Sequence, residues 1–197
     1  MNIHLIVAGQ LELPVGRKLI GHCGHSAGME YPLRGCGNIR RKAYKYAPLV
    51  MGGDGVLVLT DFMDSGCACV PQALIEYRAE SVRHRAFLYR FAVPELESWL
   101  LADAAGLSNF LRIARSKIPD KPEELSDPKR TLVNLARSSK KRAVREALVP
   151  PEGSSGAVGR LYVPMLSEFV ESFWNIDAAV QKAPSLARCV SRLRELQ

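Results

Sequence analysis

The chain lacks any long apolar stretch. Its 197 residues contain no hydrophobic run near the ~20 residues that a membrane-spanning helix needs. Its opening residues, MNIHLIVAGQ, carry no basic segment ahead of the short apolar run, so they do not fit a signal peptide. These two absences predict a cytoplasmic protein with no membrane partner. In that compartment the five cysteines are expected to stay reduced.

Familiar nucleotide-binding and redox motifs are also missing. No G-x-x-x-x-G-K-[ST] segment occurs, so the chain carries no P-loop of its own. The two cysteines of CAC are too closely spaced for a C-x-x-C redox motif. Cys23, His25 and Cys36 offer ligands for zinc, but their spacing matches no standard ligand pair and no second pair follows. Whether these three residues bind a metal stays open, the alternative being buried or surface loop positions.

Acidic residues are fewer than basic ones. The chain has 27 lysines and arginines against 20 aspartates and glutamates, a formal net charge of +7. This excess favours polyanionic partners such as DNA or RNA, although whole-chain charge bears first on solubility and non-specific binding. Hydrophobic residues at 47% and charged residues at 24% are typical of a soluble globular protein.

Some of the basic side chains are grouped along the chain. If two such groups lie on one groove, they would contact a phosphate backbone without regard to base sequence. The alternative is that each group is a solvated helix face. The candidate nucleic-acid contacts are Arg40, Arg41, Lys42, Lys140, Lys141 and Arg142.

Strand and helix patterns alternate through the first half of the chain. IHLIVAG, GVLVLTD and RAFLYRFAVP are typical of buried strands, and LELPVGRKLIGHC and PQALIEYRAES of the helices between them. This alternation predicts an α/β protein with a mainly parallel central sheet. The remainder is helical in pattern. We predict an α/β core over residues 1–105 and a helical annex over residues 106–197, packed on the core as one unit.

Carboxylates follow the buried strands where the strands end. Asp61 closes GVLVLTD, Asp64 lies in the loop after it, and Glu95 and Glu97 follow the third strand. Ligands of open α/β sheets bind at the carboxyl ends of the strands, where converging carboxylates suit a hard divalent cation. The alternative is structural: Asp61 caps a turn, Asp64 is solvated and the two glutamates complement a helix dipole.

Six segments, in order along the chain, carry a resemblance to a known family: LIVAGQLELPVGRKLI, VLVLTDFMDSGC, FAVPELESWLLAD, SDPKRTL, VGRLYVPMLSEFVESFW and APSLARCVSRLREL. They resemble the bacterial family known as domain of unknown function 4276. That family is related to the Toprim domains of topoisomerases, primases and overcoming-lysogenization-defect-type nucleases. The resemblance covers nearly the whole chain and implies a Toprim-like core, descent from metal-dependent nucleases, and an ATPase partner in a bacterial defence or DNA-transaction setting.

The resemblance further implies magnesium ligands: a glutamate after the first strand and a D-x-D pair after a later one. Here Ala8 stands at the glutamate position, and Met63 at the second position of the pair. Neither side chain is a ligand for magnesium. Asp61 keeps the first position of the pair, and Glu97 matches the glutamate two residues before the family's tryptophan. The candidate catalytic acids are therefore Asp61 and Glu97, and the candidate magnesium ligands are these two together with Asp64.

Asp103 also matches an aspartate of the family. It lies six residues after Glu97 and therefore on a different helical face. An aspartate directly before AAGLSNFLRI is typical of a helix N-cap. We predict that Asp103 caps a helix.

The sequence supports two functions. The first is a Toprim-like, nuclease-related protein with a degenerate magnesium site, an accessory of a defence or DNA-transaction system that acts with an ATPase. Its chemistry, if it is active, is magnesium-dependent phosphoryl transfer. The alternative is a catalytically inactive module that binds nucleic acid or protein. The sequence indicates neither the substrate nor the oligomeric state.

Overall fold

The computed structural model describes residues 1–196, apart from the side chain of Glu80. The described chain divides into two compact units. The first consists of Met1–Leu96 together with the residues from Ser185 on, and the second of Glu97–Pro184. The first unit contains the sheet and the second is helical. The division expected from the sequence lay after residue 105, nine residues beyond the boundary at Leu96.

Four parallel strands form the sheet, in the order β2-β1-β3-β4. β1 and β3 are the two interior strands, and β3 is buried at every residue except its last. Strands buried on both faces need apolar side chains throughout, which is why the sequence shows them as continuous hydrophobic runs. The predicted α/β class with a parallel central sheet is confirmed. The strands are β1 Asn2–Val7, β2 Ser26–Pro32, β3 Gly55–Asp61 and β4 Phe87–Ala92.

The sequence patterns did not predict β2. Its segment, SAGMEYP, has no buried residue, and Met29 is 63% exposed. Among residues 1–196, β2 lies at an edge of the sheet and pairs with β1 alone. An edge strand of this kind needs no apolar run, and it can end in proline because one side of its backbone pairs with nothing.

Helices surround the sheet in the first unit and make up the second. α1 packs closely on β1, because a Cβ at Gly16 would lie 2.5 Å from the Leu5 side chain. No helix of residues 1–196 is long and apolar enough to cross a membrane. The helices are α1 Glu12–His22, α2 Cys36–Lys42, α3 Val70–Glu76, α4 Leu96–Ala102, α5 Ala104–Leu111, α6 Pro128–Arg137, α7 Arg142–Leu148, α8 Tyr162–Ser172, α9 Ile176–Ala179 and α10 Pro184–Arg194.

The last helix, α10, belongs with the sheet. Leu186, Val190 and Leu193 form its buried stripe. The His25 ring nitrogen Nε2 donates to the Leu193 carbonyl at 2.8 Å, and the Cys23 thiol lies 3.8 Å from the Val190 carbonyl. The apolar stripe of the tail therefore packs within the first unit.

Aromatic side chains form much of the core of the second unit. The Trp174 indole donates to the Trp99 carbonyl at 3.2 Å, and both rings are buried. The rings of Phe110 and Phe169 lie 5.3 Å apart between centroids. Indole and phenyl groups supply a large buried apolar area from few residues, so this small helical unit has a core of its own.

The cysteines differ in how deeply their thiols are buried. Cys189 is completely buried, and that burial raises the pKa of its thiol to about 12, while Cys69 is exposed. Because the thiolate is the reacting form, we expect Cys189 to react with a maleimide at neutral pH roughly a thousandfold more slowly than Cys69. Timed labelling of the native protein followed by peptide mass spectrometry measures both rates. Equal rates without unfolding would contradict this burial, and labelling in guanidinium is the control.

Candidate functional site

Asp61 lies at the carboxyl end of the interior strand β3. Val7, the last residue of β1, pairs with neighbouring Leu59, so the turn that follows β1 leaves the same edge of the sheet. This is the position predicted from the sequence. In that turn the Gly9 amide donates to Oε1 of the buried Glu12 at 3.0 Å. Glu12 is thus bonded to the turn itself, and Ala8 offers no side-chain oxygen.

The Asp61 carboxylate caps the helix that follows the neighbouring strand. Its Oδ1 accepts a hydrogen bond from the Leu96 amide, the first residue of α4, at 2.7 Å. The chain can return so closely because Asp61 pairs with Ala92 at the end of β4. The Met63 amide donates to the Pro94 carbonyl at 2.9 Å and holds the two loops together. Asp61 therefore satisfies a helix-terminal amide from outside the helix.

Asp61, Glu95 and Glu97 form the acidic cluster. Each offers a carboxylate oxygen, and these oxygens all lie within 4.8 Å of one another. Glu95 and Glu97 are 7% and 2% exposed. The grouping is local in origin, because the two glutamates flank Leu96, whose amide is bonded to Asp61. Fixing that one amide brings both neighbouring glutamates towards the strand end.

Charge repulsion within the acidic cluster calls for cations or hydrogen-bond donors. Two ionised carboxylates 4.8 Å apart repel by about 3 kcal/mol at an effective dielectric constant of ~20. The protein supplies part of the compensation at Glu97, whose Oε1 accepts from the Tyr162 hydroxyl at 2.9 Å and lies 3.8 Å from the Lys129 ammonium. A bound dication would supply more.

The donor set of the acidic cluster suits a hard divalent cation. Three carboxylates present only oxygen ligands, which magnesium, manganese and calcium prefer. Around magnesium, opposite oxygens lie about 4.2 Å apart, and around calcium about 5 Å, given their usual metal–oxygen distances. An oxygen spacing of up to 4.8 Å is compatible with either ion after small side-chain adjustments. The cluster therefore fits a metal ion without specifying which one.

Of the predicted magnesium ligands, the structure brings Asp61 and Glu97 together and leaves Asp64 outside the acidic cluster. Asp64 is exposed in the turn Met63–Ser65, and its carbonyl accepts from the Cys36 thiol at 3.2 Å. Glu95 completes the cluster instead. The sequence placed Glu95 among the strand-end acids, but nothing in its local pattern marked it as nearer to Asp61 than Asp64.

Asp103 is a helix cap, as predicted. Its carboxylate accepts from the Gly106 amide at 2.9 Å at the start of α5, and from the Asn175 amide at 2.8 Å. It is 1% exposed, so these bonds account for a buried carboxylate. Nothing in these contacts points to a role in chemistry.

Cys23, His25 and Cys36 are engaged separately. Cys23 and His25 contact carbonyl groups of α10, as described above, whereas Cys36 contacts the Asp64 carbonyl. The acidic cluster is the metal-compatible group found among the described residues. The zinc interpretation of these three residues gains no support from their contacts.

The basic group around α2 lines a cleft of about 490 Å³ in the first unit, here called the α2 cleft. Arg40 forms an ion pair with Glu76 at 2.5 Å, and the Arg78 guanidinium lies 5.2 Å from the centroid of the Tyr44 ring. Among the side chains that the structure describes, the lining has five cations and one acid, Glu76, and is strongly positive. The predicted contacts Arg40, Arg41 and Lys42 line this cleft together with Tyr44, Lys45, Glu76 and Arg78.

The side chains of the second basic group, Lys140, Lys141 and Arg142, make separate contacts. Lys141 lies 5.9 Å from the centroid of the Phe110 ring, and Arg142 pairs with Glu146 at 2.7 Å one helical turn away. Lys140 lines a different cleft, in the second unit. Three residues adjacent in sequence therefore have three different surroundings.

The chain matches none of the known protein-family models, no curated protein and no solved structure. The function of the acidic cluster must therefore be inferred from its own chemistry.

The cap formed by Asp61 predicts how its variants fold. Asp61→Ala leaves the Leu96 amide without its acceptor and is expected to lower the free energy of unfolding by about 1–3 kcal/mol. Asp61→Asn keeps an oxygen acceptor, so its loss should be under about 1 kcal/mol. Urea denaturation measures both, with Asp64→Ala as an exposed control. An asparagine variant as unstable as the alanine variant would show that charge, rather than the hydrogen bond, holds this position.

Proposed function

We propose that this chain is a Toprim-like, nuclease-related protein whose metal site is degenerate and binds a divalent cation weakly. The observation that carries the proposal is the acidic cluster at the carboxyl end of an interior strand, where open parallel sheets bind ligands. Its role as an accessory of a bacterial defence or DNA-transaction system, acting with an ATPase, follows from the family resemblance.

Asp61 and Glu97 would be the principal metal-holding acids, with Glu95 as the third. A hard cation bound there supplies Lewis-acid stabilisation of charge on a phosphoryl oxygen. The protein's own groups position these acids: the Leu96 amide orients Asp61, and the Tyr162 hydroxyl orients Glu97. This fixed orientation is what a metal centre requires of the residues that support its ligands.

Two features weaken the proposed site. Ala8 and Met63 stand where the resemblance implies carboxylates, so ligands expected from two directions are missing. The Lys129 ammonium, 3.8 Å from Glu97, already offsets part of the negative charge that would attract a cation. A small, strongly hydrated ion such as magnesium gives up its water only to a well-formed ligand set.

A titration tests the metal site directly. We expect magnesium and manganese to bind with dissociation constants on the order of a millimolar, and Asp61→Asn or Glu97→Gln to weaken binding severalfold because each removes one charged ligand. Isothermal calorimetry measures this, and Asp64→Asn serves as the control outside the cluster. Affinity lost in Asp64→Asn but unchanged in Asp61→Asn would contradict the proposed ligand set.

The missing ligands predict low catalytic activity. We expect the purified protein alone to cleave single- and double-stranded DNA and RNA little or not at all in magnesium. Ala8→Glu combined with Met63→Asp should raise magnesium affinity, because it restores negative charge at both positions. Gel assays follow cleavage, and calorimetry follows affinity. Robust magnesium-dependent cleavage by the unmodified chain, abolished in Asp61→Asn, would show that the site is intact despite both replacements.

A second candidate function is a catalytically inactive module that binds nucleic acid. The strongly positive α2 cleft favours it, since the cations of its described lining outnumber the one acid there, Glu76. Nucleic-acid binding that persists in EDTA and in Asp61→Asn, with no cleavage under any condition, would favour this module over an enzyme.

A further inference from the structure

A second basic cleft, here called the α5 cleft, lies within the helical unit. It encloses about 650 Å³, and among the described residues its lining includes Arg112, Lys117 and Lys140 but no aspartate or glutamate. This volume lies within the range of pockets that hold ligands the size of a nucleotide. Three positive charges facing one concave surface without acids create a positive potential there.

The cations of the α5 cleft come from three separate segments. Arg112 directly follows α5, Lys117 lies in the turn Arg115–Lys117, and Lys140 lies between α6 and α7. Their proximity is thus a product of the fold, whereas a charged helix face places its cations on one segment.

A buried serine holds one wall of the α5 cleft in place. The Ser139 hydroxyl donates to the Leu111 carbonyl at 2.5 Å and accepts from the Lys141 amide at 3.1 Å. The Arg145 guanidinium donates to the Ser139 carbonyl at 2.5 Å. Ser139 is 3% exposed. These bonds fix the loop that carries Lys140 against the end of α5.

Arg112 occupies a backbone position that favours glycine. Its φ angle is 54°, in the left-handed region, where a side chain costs energy that glycine avoids. Among the described non-glycine residues, positive φ occurs at three arginines: Arg34, Arg78 and Arg112. Arg78 lines the α2 cleft and Arg112 the α5 cleft. Each basic cleft thus has an arginine at a backbone conformation that favours glycine.

The three cations also have no ion-pair partner among the described residues. Other cations of the same unit do: Lys182 pairs with Asp120 at 2.6 Å, and Arg142 with Glu146. Arg112, Lys117 and Lys140 are exposed, so water and salt ions compensate their charge in the unliganded protein. Release of these counterions is the main contribution to phosphate binding by lysine and arginine.

We propose that the α5 cleft is a binding site for nucleotide phosphates. The planar guanidinium of Arg112 suits bidentate contact with phosphate oxygens, and the two lysines act as point charges. The phosphates belong either to a polynucleotide backbone or to a free nucleotide. This inference shares with the proposed function the expectation of a nucleotide ligand, but it does not depend on the acidic cluster.

Fluorescence anisotropy with the full-length protein tests the site, using a labelled single-stranded DNA oligonucleotide in EDTA. We expect Arg112→Gly combined with Lys117→Ala and Lys140→Ala to weaken binding roughly tenfold. The slope of log K against log salt concentration should fall in magnitude by ~2, because each phosphate contact on a single strand contributes about 0.7. The matched control removes the same charge from exposed arginines of the same unit outside the cleft: Arg130, Arg137 and Arg160.

The single variant Arg112→Gly separates binding from folding. Glycine suits the left-handed backbone, so the melting temperature should stay the same or rise while affinity falls. Arg112→Asn, which also tolerates this conformation, is the second variant. Unchanged affinity in both variants at an intact melting temperature would overturn the role of Arg112.

The competing sources of phosphate are distinguished by displacement. Unlabelled oligonucleotide that displaces the probe better than ATP at equal phosphate concentration identifies a polynucleotide as the source, and the reverse identifies a free nucleotide.

Equal weakening by the cleft variant and the control variant would overturn the proposal, because whole-chain charge would then explain the binding. Carrying out the measurement in EDTA and repeating it with Asp61→Asn keeps the outcome independent of the acidic cluster.

Discussion

The hydrogen bond from the Leu96 amide to Asp61 determines the arrangement of the acidic cluster. β3 and β4 are adjacent and in register, so the chain leaving β4 has only a short loop in which to start a helix. The first amide of that helix needs an acceptor, and the carboxylate at the end of β3 provides one. Because Glu95 and Glu97 flank Leu96, this single bond also sets where two further carboxylates lie.

Both structural and chemical roles are compatible with this geometry. A carboxylate has two oxygens and several lone-pair sites, so accepting one backbone amide does not exclude metal ligation by the same group. The Tyr162 hydroxyl likewise occupies one position on Glu97. The alternatives weighed from the sequence, a helix-start acid or a metal ligand, are therefore not exclusive at Asp61 and Glu97.

A strand or a helix cap could be predicted from the sequence when the residues that determine it are close together in the chain. Long apolar runs identified β1, β3 and β4, because strands buried on both faces admit few polar residues. β2 has no such run. Asp103 was recognisable as a cap because its partner lies three residues away, whereas Asp61 caps an amide 35 residues further along the chain. Contacts of that length leave no pattern in the neighbouring sequence.

The same limit applies to charged residues. Three consecutive basic residues, Lys140, Lys141 and Arg142, suggested one nucleic-acid contact. In the structure each of the three side chains has a different environment. The α5 cleft draws its cations from three segments, and no single stretch of sequence marks it. Charge grouped along the chain and charge grouped in space are separate properties. Only the grouping along the chain can be read directly from the sequence.

The folding roles of the acids bear on which carboxylates a degenerate site would keep. Asp61 caps α4, and Glu97 holds the Tyr162 hydroxyl in the core of the helical unit, so loss of either would cost stability whether or not a metal binds. The Met63 side chain has no comparable role in folding, since it is 43% exposed and the residue's hydrogen bonds are made by its backbone. If the chain descends from a metal-dependent nuclease, selection for folding alone would retain Asp61 and Glu97 after catalysis was lost. The presence of Asp61 and Glu97 alone is therefore weak support for activity.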